Sequence, residues 1–208
     1  MTNAQRATST VANNLELNQG DNFIFGVDVS GSMTAADCPG GMTRIAFLKE
    51  KTIQFAKEAS KYDTDGIDVL TFGHQISSYL GVTGDKAEEI IGKLQATEGA
   101  TQTADLIRAA YKLHKDGGKE QTVLFIATDG EPSNRDDVKK AIVDITNDVK
   151  DPKEFTISFL TVGNVSASLQ QFLNSLDDDL KAAKYDIVDV KALTDVDFVS
   201  AFVGAIND

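Results

Sequence analysis

Apolar and polar positions along this chain follow two rhythms, one of strands and one of helices. Phe23-Ile24-Phe25-Gly26-Val27 is an unbroken apolar run closed by a Ser/Gly turn, which reads as a buried strand. The loop from Met33 to Met42 contains Cys38-Pro39-Gly40-Gly41, which cannot stay helical for long. Ile45, Leu48, Phe55, Ala59 and Tyr62 then recur near helical spacing and predict an amphipathic helix over 43–61. Segments 66–72 and 75–82 flank Gly73-His74, a two-residue connection typical of a β-hairpin. A short helix is expected over 85–94.

The second half continues the alternation. Leu106, Ile107, Ala110 and Leu113 give one helix an apolar face, and Gly117-Gly118 ends it. A strand over 122–128 follows. Val138, Ala141, Ile142, Ile145 and Val149 mark another helix, whose first turn carries Asp136 and Asp137 in favour of the helix dipole. Strand 154–162, helix 167–176, strand 184–190 and helix 195–206 complete the pattern. Val196, Val199, Phe202, Val203 and Ile206 form an apolar stripe that would hold this last helix against the sheet. Residues 1–20 are polar with little periodicity and read as a flexible arm, leaving 21–208 as one domain.

Strands alternating with helices specify an α/β fold. The expected architecture is a doubly wound, Rossmann-like, mostly parallel six-stranded sheet with helices on both faces. The hairpin adds one antiparallel edge strand. Ligands of such sheets bind outside the carboxyl ends of the strands, near the point where strand order reverses.

Composition narrows the picture further. At 208 residues, 41% hydrophobic and 25% charged, the chain is globular, long enough for one core and short for two. A net charge of −12 disfavours nucleic acid and anionic membranes and favours cations or basic partners. A solubility charge spread over solvated helix faces gives the same total. Cys38 is the sole cysteine, so no internal disulfide forms and a reducing compartment is expected. The polar residues 1–22 lack an apolar signal-peptide core, and no segment approaches the ~20 apolar residues of a membrane helix. The expectation is a cytoplasmic protein without membrane insertion.

Candidate chemistry concentrates in Asp28-Val29-Ser30-Gly31-Ser32, where a carboxylate and two hydroxyls follow the first strand. A hard cation such as Mg²⁺ takes near-octahedral oxygen ligation at about 2.1 Å and uses few carboxylates. An ordinary strand-to-helix turn with a Ser cap is the alternative for this pentapeptide alone. Two later segments change the balance. Gly99-Ala100-Thr101-Gln102-Thr103 opens an amphipathic helix, and Thr128-Asp129-Gly130 ends an apolar strand. Together the three resemble the metal-ion-dependent adhesion site of the von Willebrand factor type A domain family. That pattern is Asp-x-Ser-x-Ser, a distant Thr, and an Asp closing a later strand.

The resemblance covers 23–208 and implies Asp28, Ser30, Ser32, Thr101 and Asp129 as metal ligands. It implies Mg²⁺ or Mn²⁺, with Ca²⁺ as a further candidate. The function implied is a non-enzymatic protein–protein interaction module, a monomer or weak self-associator, whose partner supplies an Asp or Glu to the metal. Neutral hydroxyl ligands suit this use. They leave much of the cation's charge for an incoming carboxylate, while Asp28 and Asp129 orient hydroxyls and waters from behind. Without a visible signal peptide, the chain resembles intracellular bacterial stand-alone and copine-like members, and 157–164 and 176–180 lean toward the copine-like branch.

Two other readings stand beside this one. A metal that only ties loops together makes the chain a structural scaffold. A metal-dependent phosphoester hydrolase would use Asp28 as nucleophile, but its usual acid/base two positions on is here Ser30. Gly117-Gly118-Lys119 lacks the first glycine of a phosphate loop and precedes a strand. His74 is placed at the hairpin tip, at the metal end of the sheet. His114 is placed in a helix's last turn, where a positive ring suits the dipole. Glu131 is either part of the binding rim or a solvated turn residue. Asp177-Asp178-Asp179 is a solvated helix end, or else a plug for a neighbouring molecule's metal site.

Overall fold

The computed structural model describes residues 21–61, 65–97 and 99–196. The expected arm over 1–20, Tyr62, and the last helix beyond residue 196 with its stripe lie outside the described residues. Among the described residues six strands form one sheet: β1 (Asp21–Asp28), β2 (Ile67–Phe72), β3 (Ile76–Val82), β4 (Gln121–Thr128), β5 (Phe155–Thr161) and β6 (Val188–Ala192). Their order is β3-β2-β1-β4-β5-β6, with β3 alone antiparallel at an edge. This is the expected fold class.

Five α-helices of the described residues cover the sheet: α1 (Arg44–Ala59), α2 (Gly84–Ile91), α3 (Thr103–Gly117), α4 (Arg135–Asp148) and α5 (Ala167–Asp177). Among the described residues, no helix is long and apolar enough to cross a membrane. Alternation along the strands sends successive side chains to opposite faces. Phe23, Phe25 and Val27 meet Phe55 of α1 and Ile91 of α2 on one face. Ile24 and Leu124 join Leu106, Ile142 and Leu173 of α3, α4 and α5 on the other. Phe55 sits between Phe25 and Phe125, with both ring centroids 5.1 Å away. Emptying such a site typically costs about 3–5 kcal/mol.

Local signals account for most element boundaries. Thr43 caps α1 by accepting from the Ala46 amide, and Asn134 caps α4 by accepting from Asp137. Gly118, at φ 58°, closes α3 in the left-handed conformation. Some boundaries differ from expectation. Three residues, Gly73 to Gln75, connect the hairpin strands rather than two. The loop after β1 tightens into two short 3₁₀ turns, Gly31–Thr34 and Pro39–Gly41. The sixth strand begins at Val188 rather than 184, because Lys184 donates its amide to the Thr146 hydroxyl and Tyr185 its phenol to the Lys150 carbonyl. Those side bonds hold the approach to β6 out of the ladder.

The strand order reverses between β1 and β4. The chain leaves β1 toward α1 on one face and leaves β4 toward α4 on the other. The topological switch point therefore lies at the carboxyl ends of these two central strands, where α/β sheets place ligands.

Candidate metal centre

The site grows from the ends of β1 and β4. Asp28, the last residue of β1, is fully buried. Its Oδ1 accepts the Ser30 amide at 2.8 Å, and its Oδ2 accepts the Thr128 hydroxyl at 2.6 Å. Burial pushes its carboxyl above the usual range, while the hydrogen bonds from Thr128 and Ser30 oppose that rise. Asp28 is thus a strand residue braced from β4, not a free loop ligand.

Ser30 and Ser32 follow, their hydroxyls 3.1 Å apart. Ser32 donates to Asp129 Oδ1 at 2.8 Å, which turns its lone pairs away from that carboxylate. Thr101 is in the loop before α3, two residues earlier than the helix it was expected to open. Its carbonyl accepts from both the amide and the hydroxyl of Ser133, at 3.0 and 3.1 Å. The Thr101 residue is buried, and its hydroxyl bonds to no described residue.

Gly130 reveals how closely these groups converge. A methyl group placed on it would lie 3.2 Å from Thr101 Oγ1 and 3.7 Å from both Asp28 Oδ2 and Ser32 Oγ. Oxygens from the end of β1 and its following turn and from the loop before α3 therefore converge on one point beside Gly130, which a side chain there would crowd. Among the described residues, no group of three or more His, Cys, Asp or Glu is placed to hold a metal. The donor set is instead hydroxyls with two carboxylates, all hard oxygen, which fits Mg²⁺, Mn²⁺ or Ca²⁺ and not a soft metal.

Three residues here were not singled out by sequence reasoning. Thr128 braces Asp28, and its signal was only a hydroxyl beside the second Asp. Arg44, first residue of α1, pairs through Nη1 with Asp129 Oδ2. Its Nε and Nη2 grip Asp37 Oδ1 and Oδ2 at 2.7 and 2.5 Å. A legible signal existed: α1 opens with a cation and has no acidic residue in its first turn, against the helix dipole. The guanidinium and the Asn164 amide hold Asp37 down at about 2.

The remaining candidates separate from the site. His74 is exposed, and its carbonyl accepts from Gln102 at 2.9 Å, beside the Thr101 loop. His114 is buried, with Nδ1 2.9 Å from the Thr122 hydroxyl. Burial lowers its pKa, so it is a neutral core ring rather than a positive charge on the dipole. Cys38 is buried and its thiol is pushed up, first by desolvation. Glu131, in the loop before α4, pairs with Arg135, the first residue of that helix. Asp177 to Asp179 line an open groove with Leu180, Tyr185 and Asp186, distant in sequence from the hydroxyl cluster.

Comparison with known proteins places this arrangement. Residues 23–131 match the von Willebrand factor type A domain family. No curated protein sequence matches the chain. The SpRpn10 VWA domain superposes with TM-score 0.57 at 14% identity, over 87% of this chain and 94% of that one. The manganese-loaded TRAP protein of Plasmodium vivax gives TM-score 0.57 at 14% identity, over 91% and 72%. A von Willebrand factor type A structure from Catenulispora acidiphila gives 0.58 at 18%, over 90% of this chain and 43% of that one. At such identities the structural likeness speaks for the fold, and the match over the first half of the chain speaks for the family. The chain belongs to the von Willebrand factor type A domain family.

Proposed function

We propose that this chain is a divalent-cation-dependent protein-interaction module. Ser30, Ser32 and Thr101 hold Mg²⁺ or Mn²⁺ through their hydroxyls, and Asp28 and Asp129 stand behind them as orienting acceptors. The observation that carries this reading is the convergence of the Thr101, Ser32 and Asp28 oxygens around the space beside Gly130. Its position at the strand-order reversal supports it. The family's domains are mostly non-enzymatic interaction modules, and a manganese-loaded protein shares the fold.

When bound, the cation would supply a positive charge that Asp28 and Asp129, standing behind the hydroxyls and with Asp129 shared with Arg44, neutralise only in part, and so would attract an acidic side chain of a partner. The chain's own residues set that charge. The Ser32 hydroxyl donates its hydrogen bond to Asp129, leaving its oxygen a neutral ligand with a lone pair for the cation. The Thr128 hydroxyl and Ser30 amide occupy both oxygens of Asp28, fixing it as a distant countercharge.

Calorimetric titration with MgCl₂ and MnCl₂ tests the site. Wild type is expected to bind one ion, and Asp28→Ala none, with its thermal unfolding in chelator still cooperative. Wild-type affinity in Asp28→Ala would sink the ligand set. Acetate added to the Mn²⁺ form should displace metal-bound water and lower the water-proton relaxation rate. No change on adding acetate removes the acidic-partner half of the reading.

A further inference from the structure

Arg44 is placed where elementary electrostatics disfavours it. It begins α1, so its positive charge faces the positive end of a helix dipole, with no acidic residue in that first turn. Its side chain is only 12% exposed. A buried cation needs partners, and three loops supply them. Asp37 accepts a two-pronged pair from Nε and Nη2, and the Asn164 carbonyl accepts from Nη2 at 3.1 Å. Asp129 accepts from Nη1, on the oxygen that Ser32 does not use.

The surroundings are shaped for this contact. The Asn164 amide donates to Asp37 Oδ2 at 3.0 Å, fixing the carboxylate that grips Arg44. Gly163, at φ 65°, passes so close that a Cβ there would come within 2.6 Å of Arg44 Nε. Both its backbone conformation and its missing side chain are required by the pair. Such a site is built into the fold rather than found by a mobile surface side chain.

We propose that the Arg44 guanidinium is a resident counter-cation for Asp129 that sets how tightly the candidate site binds divalent metal. This rests on the metal-site reading above. In the metal-free protein Arg44 supplies the positive charge that keeps Asp129 buried and aimed at Ser32. A divalent ion at the hydroxyl cluster shares Asp129 with that charge, and like charges in a partly dry site oppose each other. Asp37 moderates the opposition by neutralising Arg44 from the other side. The device keeps the module folded without metal and limits its affinity, so occupancy follows the ambient cation concentration.

The two members of the pair give the proposal opposite signs. Mn²⁺ titration by calorimetry is run on wild type, Arg44→Gln and Asp37→Asn, with thermal unfolding in chelator and in excess Mn²⁺. Arg44→Gln is expected to bind Mn²⁺ at least tenfold tighter, to melt lower in chelator, and to gain more from Mn²⁺ than wild type does. Asp37→Asn, which leaves the guanidinium less neutralised, is expected to bind at least threefold weaker. Should Arg44→Gln not fold in chelator, the Asp37→Asn result decides alone. Unchanged or weaker binding in folded Arg44→Gln, or unchanged or tighter binding in Asp37→Asn, overturns the counter-cation while leaving the metal site standing. Uptake by Arg44→Gln but not by wild type supports the counter-cation and removes the native metal site. No uptake by any of the three chains overturns both.

Discussion

Two regions of this molecule concentrate carboxylates, and they differ in what else they hold. At the ends of β1 and β4, Asp28 and Asp129 are buried and each oxygen has an assigned donor: a backbone amide, two hydroxyls and a guanidinium. At the end of α5, Asp177, Asp178, Asp179 and Asp186 share an open groove with Lys181 and Lys184. There Asp177 is pushed up by desolvation and then by its acidic neighbours. The first region arranges neutral donors around few charges. The second merely accumulates charge. The proposed cation site thus rests on convergent hydroxyls braced from several elements and not on density of acid.

The largest expected effect breaks that comparison directly. Asp129→Asn should weaken Mn²⁺ binding by at least a hundredfold, whereas the double change Asp178→Asn and Asp179→Asn should leave it within twofold. Equal losses in the two calorimetric titrations would mean that bulk negative charge, and not the braced site, draws the ion. Next in size is Thr128→Val, which removes the hydroxyl on Asp28 Oδ2. Loss of an orienting partner of this kind typically costs about 10–100-fold in metal affinity. Full affinity in that variant would show that Asp28 needs no brace from β4.

A smaller effect is expected at Gly130, whose φ is not positive, so an alanine there brings no backbone strain. Its added methyl crowds Thr101 Oγ1 at 3.2 Å. Gly130→Ala should weaken Mn²⁺ binding about threefold to tenfold, the scale of about 1 kcal/mol, with the melting temperature nearly unchanged. Tighter binding in that titration would place the ion elsewhere.

The smallest effects separate the two regions by pH. Asp37 is held at about 2 by Arg44, against an ordinary 3.8. Its contribution to stability is fully present above 3.8 and fades as pH falls through about 2. Asp177 is shifted upward, so its sign is opposite: it favours the folded state when protonated and costs stability once pH rises through its raised value. Melting curves should show Asp177→Asn slightly stabilising at pH 7 and Asp37→Asn destabilising there. The reverse pair of signs would contradict both assignments of cause.

Much of this architecture was legible in the sequence because its signals are local. The run Phe23 to Val27, the helical spacing of Ile45, Leu48, Phe55 and Ala59, and the Gly117-Gly118 stop are local signals, so periodicity and turn chemistry placed β1, α1 and α3 within about two residues. The approach to β6 was misplaced because its boundary depends on Thr146 and Lys150, which reach it only after folding. His114 was read as a charge on a helix end because the sequence shows its helix but not the ring's burial beside Thr122.

The sequence by itself placed oxygen-bearing side chains at element boundaries, and its resemblance to the family's motif named Asp28, Ser30, Ser32, Thr101 and Asp129 among them. Tertiary structure alone decided what each of them touches. Thr128 meets Asp28 at a separation of 100 positions, and Arg44 meets Asp129 at 85. Such contacts arise from strand order and from the direction in which helices leave the sheet, neither of which is written in any local pattern. A motif names donors. The fold decides which of their oxygens remain free.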